Sequence, residues 1–90
     1  MRITFDPAKR DRTLRERGLD FAAATDIFAG RHATIADRRR EYGEQRYISA
    51  GFLEGRMVVL VWTPRGEDRR IISMRHAHDK EEARWKEHLG

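Results

Sequence analysis

The chain of 90 residues has no cysteine and only two prolines. Without thiols it has no disulfide, no thiolate metal ligand and no thiol nucleophile, and we expect an intracellular, cytoplasmic protein. No apolar run is long enough to cross a bilayer, and no apolar signal region follows the first residues, so we expect no membrane partner. A chain of this length supports one hydrophobic core, which predicts a single domain over residues 1–90.

Lysine is scarce as well. Only three of the 19 basic residues are lysines, and the other 16 are arginines. With 15 acidic residues the formal net charge is +4. Arginine makes flat bidentate contacts with phosphate and stacks on bases, so an arginine-rich surface suits nucleic acid. Most arginines of a small domain are nevertheless solvated, and each one therefore also has an interpretation as a surface residue.

The most apolar and β-branched run, residues 57–62, predicts a central strand that is covered on both faces. It belongs to a predicted hairpin over residues 56–77, whose second strand is rich in arginine and whose turn contains Arg65. Residues 46–53 predict a preceding strand, and residues 33–37 a shorter one. A buried strand is thus expected beside a cationic one.

The beginning of the chain predicts a short strand, residues 2–5, and then a helix, residues 7–17. Asp6 is placed to cap this helix before a proline at its first position. Gly18 stands where a left-handed residue would end it, and Leu14 is its clearest apolar anchor. The remainder of this helix is largely charged, so we expect it to pack lightly.

Two further helices are predicted to cover the sheet. Residues 21–29 predict a helix because their apolar residues recur at helical spacing, and the predicted buried face includes Thr25. Residues 80–89 follow Asp79, which together with Glu82 has the spacing of a capping box. The order of elements predicts an α+β fold: a short N-terminal strand and two helices, then an antiparallel sheet of three to four strands and a C-terminal helix.

An ordered series of residues along nearly the whole chain resembles a known family. It consists of Phe5-Asp6-Pro7-Ala8-Lys9, Leu14-Arg15-Glu16-Arg17-Gly18-Leu19-Asp20-Phe21, Ala24, Phe28, Asp37-Arg38, Tyr42-Gly43-Glu44, Arg46, Gly51, Gly55-Arg56, Val59, Thr63, Arg65-Gly66, Arg70-Ile71-Ile72-Ser73, Arg75, Ala77 and Glu81-Glu82. This series resembles the BrnT toxins, the toxin half of BrnT/BrnA type II toxin–antitoxin modules. At two positions the chain departs from the family pattern: Arg17 stands where members usually have histidine, and Trp85 where tyrosine is common.

The resemblance implies a RelE-like fold and a ribonuclease that cleaves mRNA, free or on the ribosome, and so inhibits translation. It also implies neutralisation by a cognate BrnA-like antitoxin with a ribbon-helix-helix DNA-binding domain. We expect operator DNA to be contacted only through that antitoxin. The alternative is a degenerate, non-catalytic member that binds nucleic acid or the antitoxin.

RNA cleavage without a metal needs a base for the 2′-hydroxyl, positive charge around the phosphorane and an acid for the leaving oxygen. The candidate catalytic residues are Arg65, Arg75, Arg70 and Arg46. The candidate RNA-binding residues are Lys9, Arg17, Arg69 and His76. For each of them the alternative is a surface salt bridge, and neither a metal nor a cofactor is expected.

Strand alternation restricts these arginines. On a regular strand Arg70 and Arg75 point to opposite faces, whereas Arg69 and Arg75 share one, which makes Arg69 the geometric substitute for Arg70 unless a bulge shifts the register. His76 is a candidate general acid or base because imidazole titrates near neutrality. Glu81 lies at a predicted helix start, which explains it as a capping residue, and we assign it no catalytic role.

Overall fold

The structure is a computed structural model that describes residues 2–89. In this part of the chain the strands are β1 (Ile3–Phe5), β2 (Ala33–Ala36), β3 (Tyr47–Leu53), β4 (Arg56–Arg65) and β5 (Asp68–His76), and the helices are α1 (Pro7–Arg17), α2 (Ala24–Ala29) and α3 (Asp79–Leu89). The strands form one sheet in the order β1-β5-β4-β3-β2. The predicted α+β class is therefore confirmed. No helix of residues 2–89 has the length and apolarity needed to span a membrane.

Four strands, β2 to β5, pair antiparallel, and β1 adds a fifth strand in parallel at the edge, beside β5. The predicted central strand is confirmed, because every residue from Met57 to Thr63 of β4 is buried. Burial on both faces explains why this run lacks a polar alternation. β4 continues through Pro64 to Arg65, so the turn is shorter than expected and Arg65 lies at the end of a strand.

α1 begins and ends where the sequence predicts. Asp6 accepts a hydrogen bond from the backbone N–H of Ala8 at 2.9 Å, and Gly18 ends the helix with a φ of 69°. The prediction that Leu14 anchors this helix is wrong, since Leu14 is 40% exposed and no residue of α1 is buried. A bidentate ion pair between Arg10 and the residue that caps the next helical turn ties α1 down instead.

The predicted second helix divides into a 3-10 turn (Phe21–Ala23) and α2. The division rotates the buried face, so that Ile27 is buried and Thr25 is exposed, contrary to the prediction for Thr25. Ile27 packs directly on the sheet at Gly51, where an added Cβ would lie 2.6 Å from the Ile27 Cγ2 atom. Gly51 is therefore the residue that allows α2 to approach β3 closely.

α3 begins one residue earlier than predicted, and its capping box is shifted by the same amount. Glu81 accepts a hydrogen bond from the backbone N–H of His78 at 3.3 Å, and the carbonyl of His78 accepts the first helical bond from Glu82 at 2.8 Å. The capping pair is thus His78 with Glu81, and the prediction of Asp79 with Glu82 is wrong. Glu81 is the capping glutamate because its carboxylate is also held in place by Arg75 of β5.

Candidate active site

The two faces of the sheet are covered unequally. The 3-10 turn and α2 pack on one face, which we call the helical face, whereas α3 packs through Trp85 on the other, the groove face. Beside α3 a groove of about 500 Å³ remains open on the groove face. Its lining comprises the aliphatic residues Ile35, Ile48, Val59 and Val61, together with Arg39, Ser73, Arg75, Glu81, Arg84, Trp85 and His88. This volume lies within the usual range for small-ligand sites.

The floor of the groove is aliphatic because of the alternation in β4. Val59 and Val61 point to the groove face, while Leu60 and Trp62 belong to the core on the helical face. At the outer edge of the sheet Ile35 is 42% exposed, although it is a large apolar residue. The floor therefore offers an apolar surface for a flat, weakly polar group such as a nucleobase.

A β-bulge in β5 determines which arginines share a face with this floor, although only Arg75 of β5 lines the groove itself. Val61 of β4 pairs with Ser73, but the next residue, Trp62, pairs with Ile71. Ile72 is therefore the extra residue of the bulge, and the alternation of β5 inverts on either side of it.

The bulge overturns the predicted facing of the arginines. Arg75 pairs with Val59, and Arg70 pairs with the residue of β4 four positions further on, so Arg70 and Arg75 lie on the same face, the groove face. Arg69 lies on the helical face, with its Cζ atom 3.9 Å from the ring centre of Phe28. Arg69 is consequently not a substitute for Arg70, and the prediction from strand parity is wrong.

Arg75 is held by Glu81 in a bidentate ion pair, with both N–O distances at 2.7 Å. The hydrogen bonds and charge of Glu81 raise the pKa of Arg75, and Arg75 in turn lowers the pKa of Glu81. A guanidinium has five N–H donors, of which the carboxylate occupies two and the His76 carbonyl, at 3.4 Å, a third. Arg75 therefore keeps donors for a second anion while Glu81 fixes its orientation.

Arg39 is held in the same way by Asp37, through its Nε and terminal nitrogen at 2.8 Å each. The Asp37 side chain is fully buried and also accepts the backbone N–H of Arg39 at 3.2 Å. These contacts, with the Arg39 side chain as the main cause, lower the pKa of Asp37 to about 2. Asp37 thus stays charged and directs a largely exposed arginine towards the groove.

The two guanidinium groups are close enough to affect each other. The positive charge of Arg39 opposes the rise that Glu81 produces in the pKa of Arg75. Two like charges beside one apolar floor repel, and an anion placed between them relieves that repulsion. Arg84 of α3 adds a third cation to the same lining. The groove is therefore suited to a phosphate group.

Two predicted catalytic residues lie in a separate cluster. Arg46 and Arg65 both contact Glu44, at 3.0 and 2.9 Å, and the two arginines lower its pKa. The guanidinium of Arg46 also lies 4.1 Å from the ring centre of Tyr42. The structure therefore brings Arg46 and Arg65 together, but neither of them lines the groove.

Three predicted RNA-binding residues lie away from the groove as well. Arg17 donates to the carbonyl of Met74 at 2.9 Å and, with His76, lines a second cavity of about 670 Å³ on the helical side. Burial, and then the charge of Arg56, lower the pKa of His76. Lys9 is exposed on α1. The substitution of the usual histidine by Arg17 therefore leaves the groove unaltered.

Sequence reasoning missed four ionisable residues of the groove: Arg39, Glu81, Arg84 and His88. Arg39 lies in a run of three arginines that suggests a solvated bend. The only sign in the sequence that its side chain is fixed is Asp37, a possible hydrogen-bond acceptor two residues earlier. The other three were detectable, because positions 81, 84, 85 and 88 have the spacing of one helix face.

Together the fold and this lining define a small α+β domain with an arginine-lined groove on one face of its sheet. A comparison with protein families identifies which domain it is: the family described as "Ribonuclease toxin, BrnT, of type II toxin-antitoxin system" matches residues 5–81. The chain belongs to this family of ribonuclease toxins, which confirms the resemblance. A type II system pairs its toxin with an antitoxin, so an antitoxin is the implied partner. A search of curated proteins gave no match. Arg84, Trp85 and His88 lie beyond the matched residues.

Proposed function

We propose that the chain is an endoribonuclease that cleaves mRNA in the groove by attack of the 2′-hydroxyl, needs no metal, and thereby inhibits translation. The observation that carries this proposal is the pair of guanidinium groups, Arg39 and Arg75, each aimed by its own carboxylate at one groove. A scissile phosphate between them gains charge as the phosphorane forms, and fixed cations stabilise that charge without reorganising.

The remaining parts of the groove fit the same reaction. Its aliphatic floor takes up a base or ribose next to the scissile phosphate, and Arg70 adds positive charge on the same face. Proton transfer requires an acid or a base within reach of the substrate, and the lining contains the carboxylate of Glu81 and the imidazole of His88. In this proposal Arg46 and Arg65 contact RNA that runs out of the groove along the loop that carries Arg39.

The decisive experiment compares Arg75→Ala with the wild-type chain on a defined mRNA in EDTA. We expect cleavage by Arg75→Ala to fall about 100- to 1,000-fold, the usual loss when a charge-stabilising donor is removed. Arg12→Ala is the matched control, because Arg12 is exposed on α1, outside the groove. Expression of the wild-type chain should arrest growth, and expression of Arg75→Ala should not.

Equal cleavage by wild type and Arg75→Ala, or cleavage that disappears in EDTA, contradicts the mechanism. Retained RNA binding with no cleavage by the wild-type chain supports a non-catalytic binding module instead. Cleavage of ribosome-bound mRNA without cleavage of free mRNA assigns the substrate to the ribosome.

The implied partner is, in this proposal, a BrnA-like antitoxin with a ribbon-helix-helix domain, and contacts with operator DNA belong to that antitoxin. The isolated chain should then bind operator DNA weakly, without sequence preference and with a steep dependence on salt.

A further inference from the structure

Arg69 lies on the helical face, in an environment unlike that of the groove arginines. Its Cζ atom is 3.9 Å from the ring centre of Phe28 and 5.1 Å from that of Trp62. The indole of Trp62 is itself stacked on Tyr47, with 4.8 Å between ring centres. Arg69 therefore caps a row of three aromatic rings and is half-buried by them.

Among residues 2–89 Arg69 has no carboxylate partner, in contrast to Arg10, Arg39 and Arg75. Its Nε–H is buried and has no acceptor. Burial without a compensating charge lowers the pKa of Arg69. A buried donor without an acceptor destabilises a protein, and burying part of a charge adds to this cost. The part of the chain that the structure describes thus keeps a cation without an anionic partner.

The surroundings determine which anion fits. Contact with the rings satisfies none of the N–H donors of the guanidinium, and its terminal N–H groups suit a planar acceptor with two oxygens. Such an acceptor is a carboxylate, which an arginine binds through two parallel hydrogen bonds. The aromatic rings reduce access of water, and this strengthens the interaction.

We propose that Arg69, Phe28 and Trp62 form a binding site for an aspartate or glutamate side chain of the antitoxin. Arginine and tryptophan packed together in a partly desolvated position are typical of the residues that dominate protein–protein binding energy. A phosphate of RNA in the groove is a poorer candidate, because the groove lies on the other face of the sheet. The proposal rests on the antitoxin partner and does not depend on the cleavage mechanism.

The test uses the antitoxin, produced from the small reading frame adjacent to that of this chain and carrying a ribbon-helix-helix pattern. Its dissociation constant is measured by calorimetry with the wild-type chain, with Arg69→Met and with Arg12→Met. Methionine keeps much of the hydrocarbon stem and removes the charge. We expect Arg69→Met to weaken binding about 10- to 100-fold, and Arg12→Met to have no effect.

Three further measurements make the outcome decisive. Arg69→Met should cleave RNA at the wild-type rate, and its unfolding midpoint without antitoxin should be unchanged or higher, since the unpartnered cation is gone. Acidic residues of the antitoxin are then replaced by alanine one at a time, and each variant is titrated against the wild-type chain and against Arg69→Met. One of these replacements should weaken binding to the wild-type chain but cause no further loss of affinity for Arg69→Met.

Unchanged antitoxin affinity in Arg69→Met, or the absence of any coupled acidic residue, overturns the proposal. Loss of RNA cleavage with normal antitoxin binding assigns Arg69 to RNA instead. If the wild-type chain binds the antitoxin through Arg69 but cleaves no RNA, the result contradicts the proposed nuclease function and supports the proposed binding site at Arg69.

Discussion

Asp37 and Arg39 form an unequal pair at the edge of the groove. The side chain of Asp37 is fully buried, whereas that of Arg39 is 61% exposed. The buried carboxylate fixes the direction of the Arg39 side chain, and the guanidinium itself reaches solvent. The fold thus keeps a cation available to an anion without desolvating that cation fully. The sequence alone could not identify this pair, because the burial of Asp37 depends on tertiary packing at the end of β2.

Asp37→Asn should destabilise the chain by about 1–2 kcal/mol at pH 7, a value reduced for the exposure of Arg39. The pKa of Asp37 is lowered from 3.8 to about 2 in the folded chain, so its carboxylate stabilises the fold above pH 3.8 and this contribution is lost as the pH falls to about 2. Urea unfolding of both chains at several pH values measures the difference.

The difference between wild type and Asp37→Asn should close between about pH 4 and pH 2. Glu67→Gln, in the exposed turn between β4 and β5, is the control and should show no such change. A difference that persists undiminished at pH 2 would mean that Asp37 acts through packing and not through its charge.

α3 contacts β5 through one carboxylate that serves both the helix and the groove. Glu81 caps the N-terminus of this helix at His78 and, with the same carboxylate, orients Arg75 of β5. Trp85, one helical turn later, is 7% exposed and fixes α3 on the sheet. The existence and length of α3 were predictable from its charge pattern, but the residue that caps it was not, because the choice between neighbouring glutamates is made by Arg75.

Glu81→Ala should therefore reduce both stability and activity. The loss of the cap and of the bidentate ion pair should destabilise the chain by about 1–2 kcal/mol, and cleavage should fall because Arg75 is no longer oriented. Thermal unfolding and the rate of RNA cleavage are measured on the same preparation. Glu87→Ala, at an exposed position of α3, should change neither. Wild-type cleavage by Glu81→Ala would show that Arg75 is oriented without its carboxylate.

The sheet carries a cationic site on each of its two faces. Arg39 and Arg75 lie on the groove face, and Arg69 lies on the helical face. The sequence predicts the α+β class and the central strand because the hydrophobic pattern of residues 57–62 leaves no alternative. It does not predict the distribution of charge between the two faces, because this depends on the register of β5.

The groove should give RNA binding a moderate dependence on salt. For an RNA so short that it fills only the groove, the three arginines of the lining, Arg39, Arg75 and Arg84, correspond to a slope of about −2 in a plot of log affinity against log salt concentration. The measurement uses a single-stranded 2′-O-methyl RNA, which lacks the attacking hydroxyl. Arg84→Gln should reduce the slope by about 0.7, and Arg12→Gln should leave it unchanged. Equal slopes for wild type and Arg84→Gln would place RNA elsewhere on the surface.

The extra residue at Ile72 has a consequence for how this chain tolerates change. Replacing Ile72 by another apolar residue keeps the register. Deleting it leaves Arg70 and Arg75 four positions apart, as their partners Thr63 and Val59 are on β4, so both arginines should stay on the groove face of an uninterrupted strand. The shared facing of these arginines is thus determined by their partners on β4, and it should tolerate the loss of the extra residue between them.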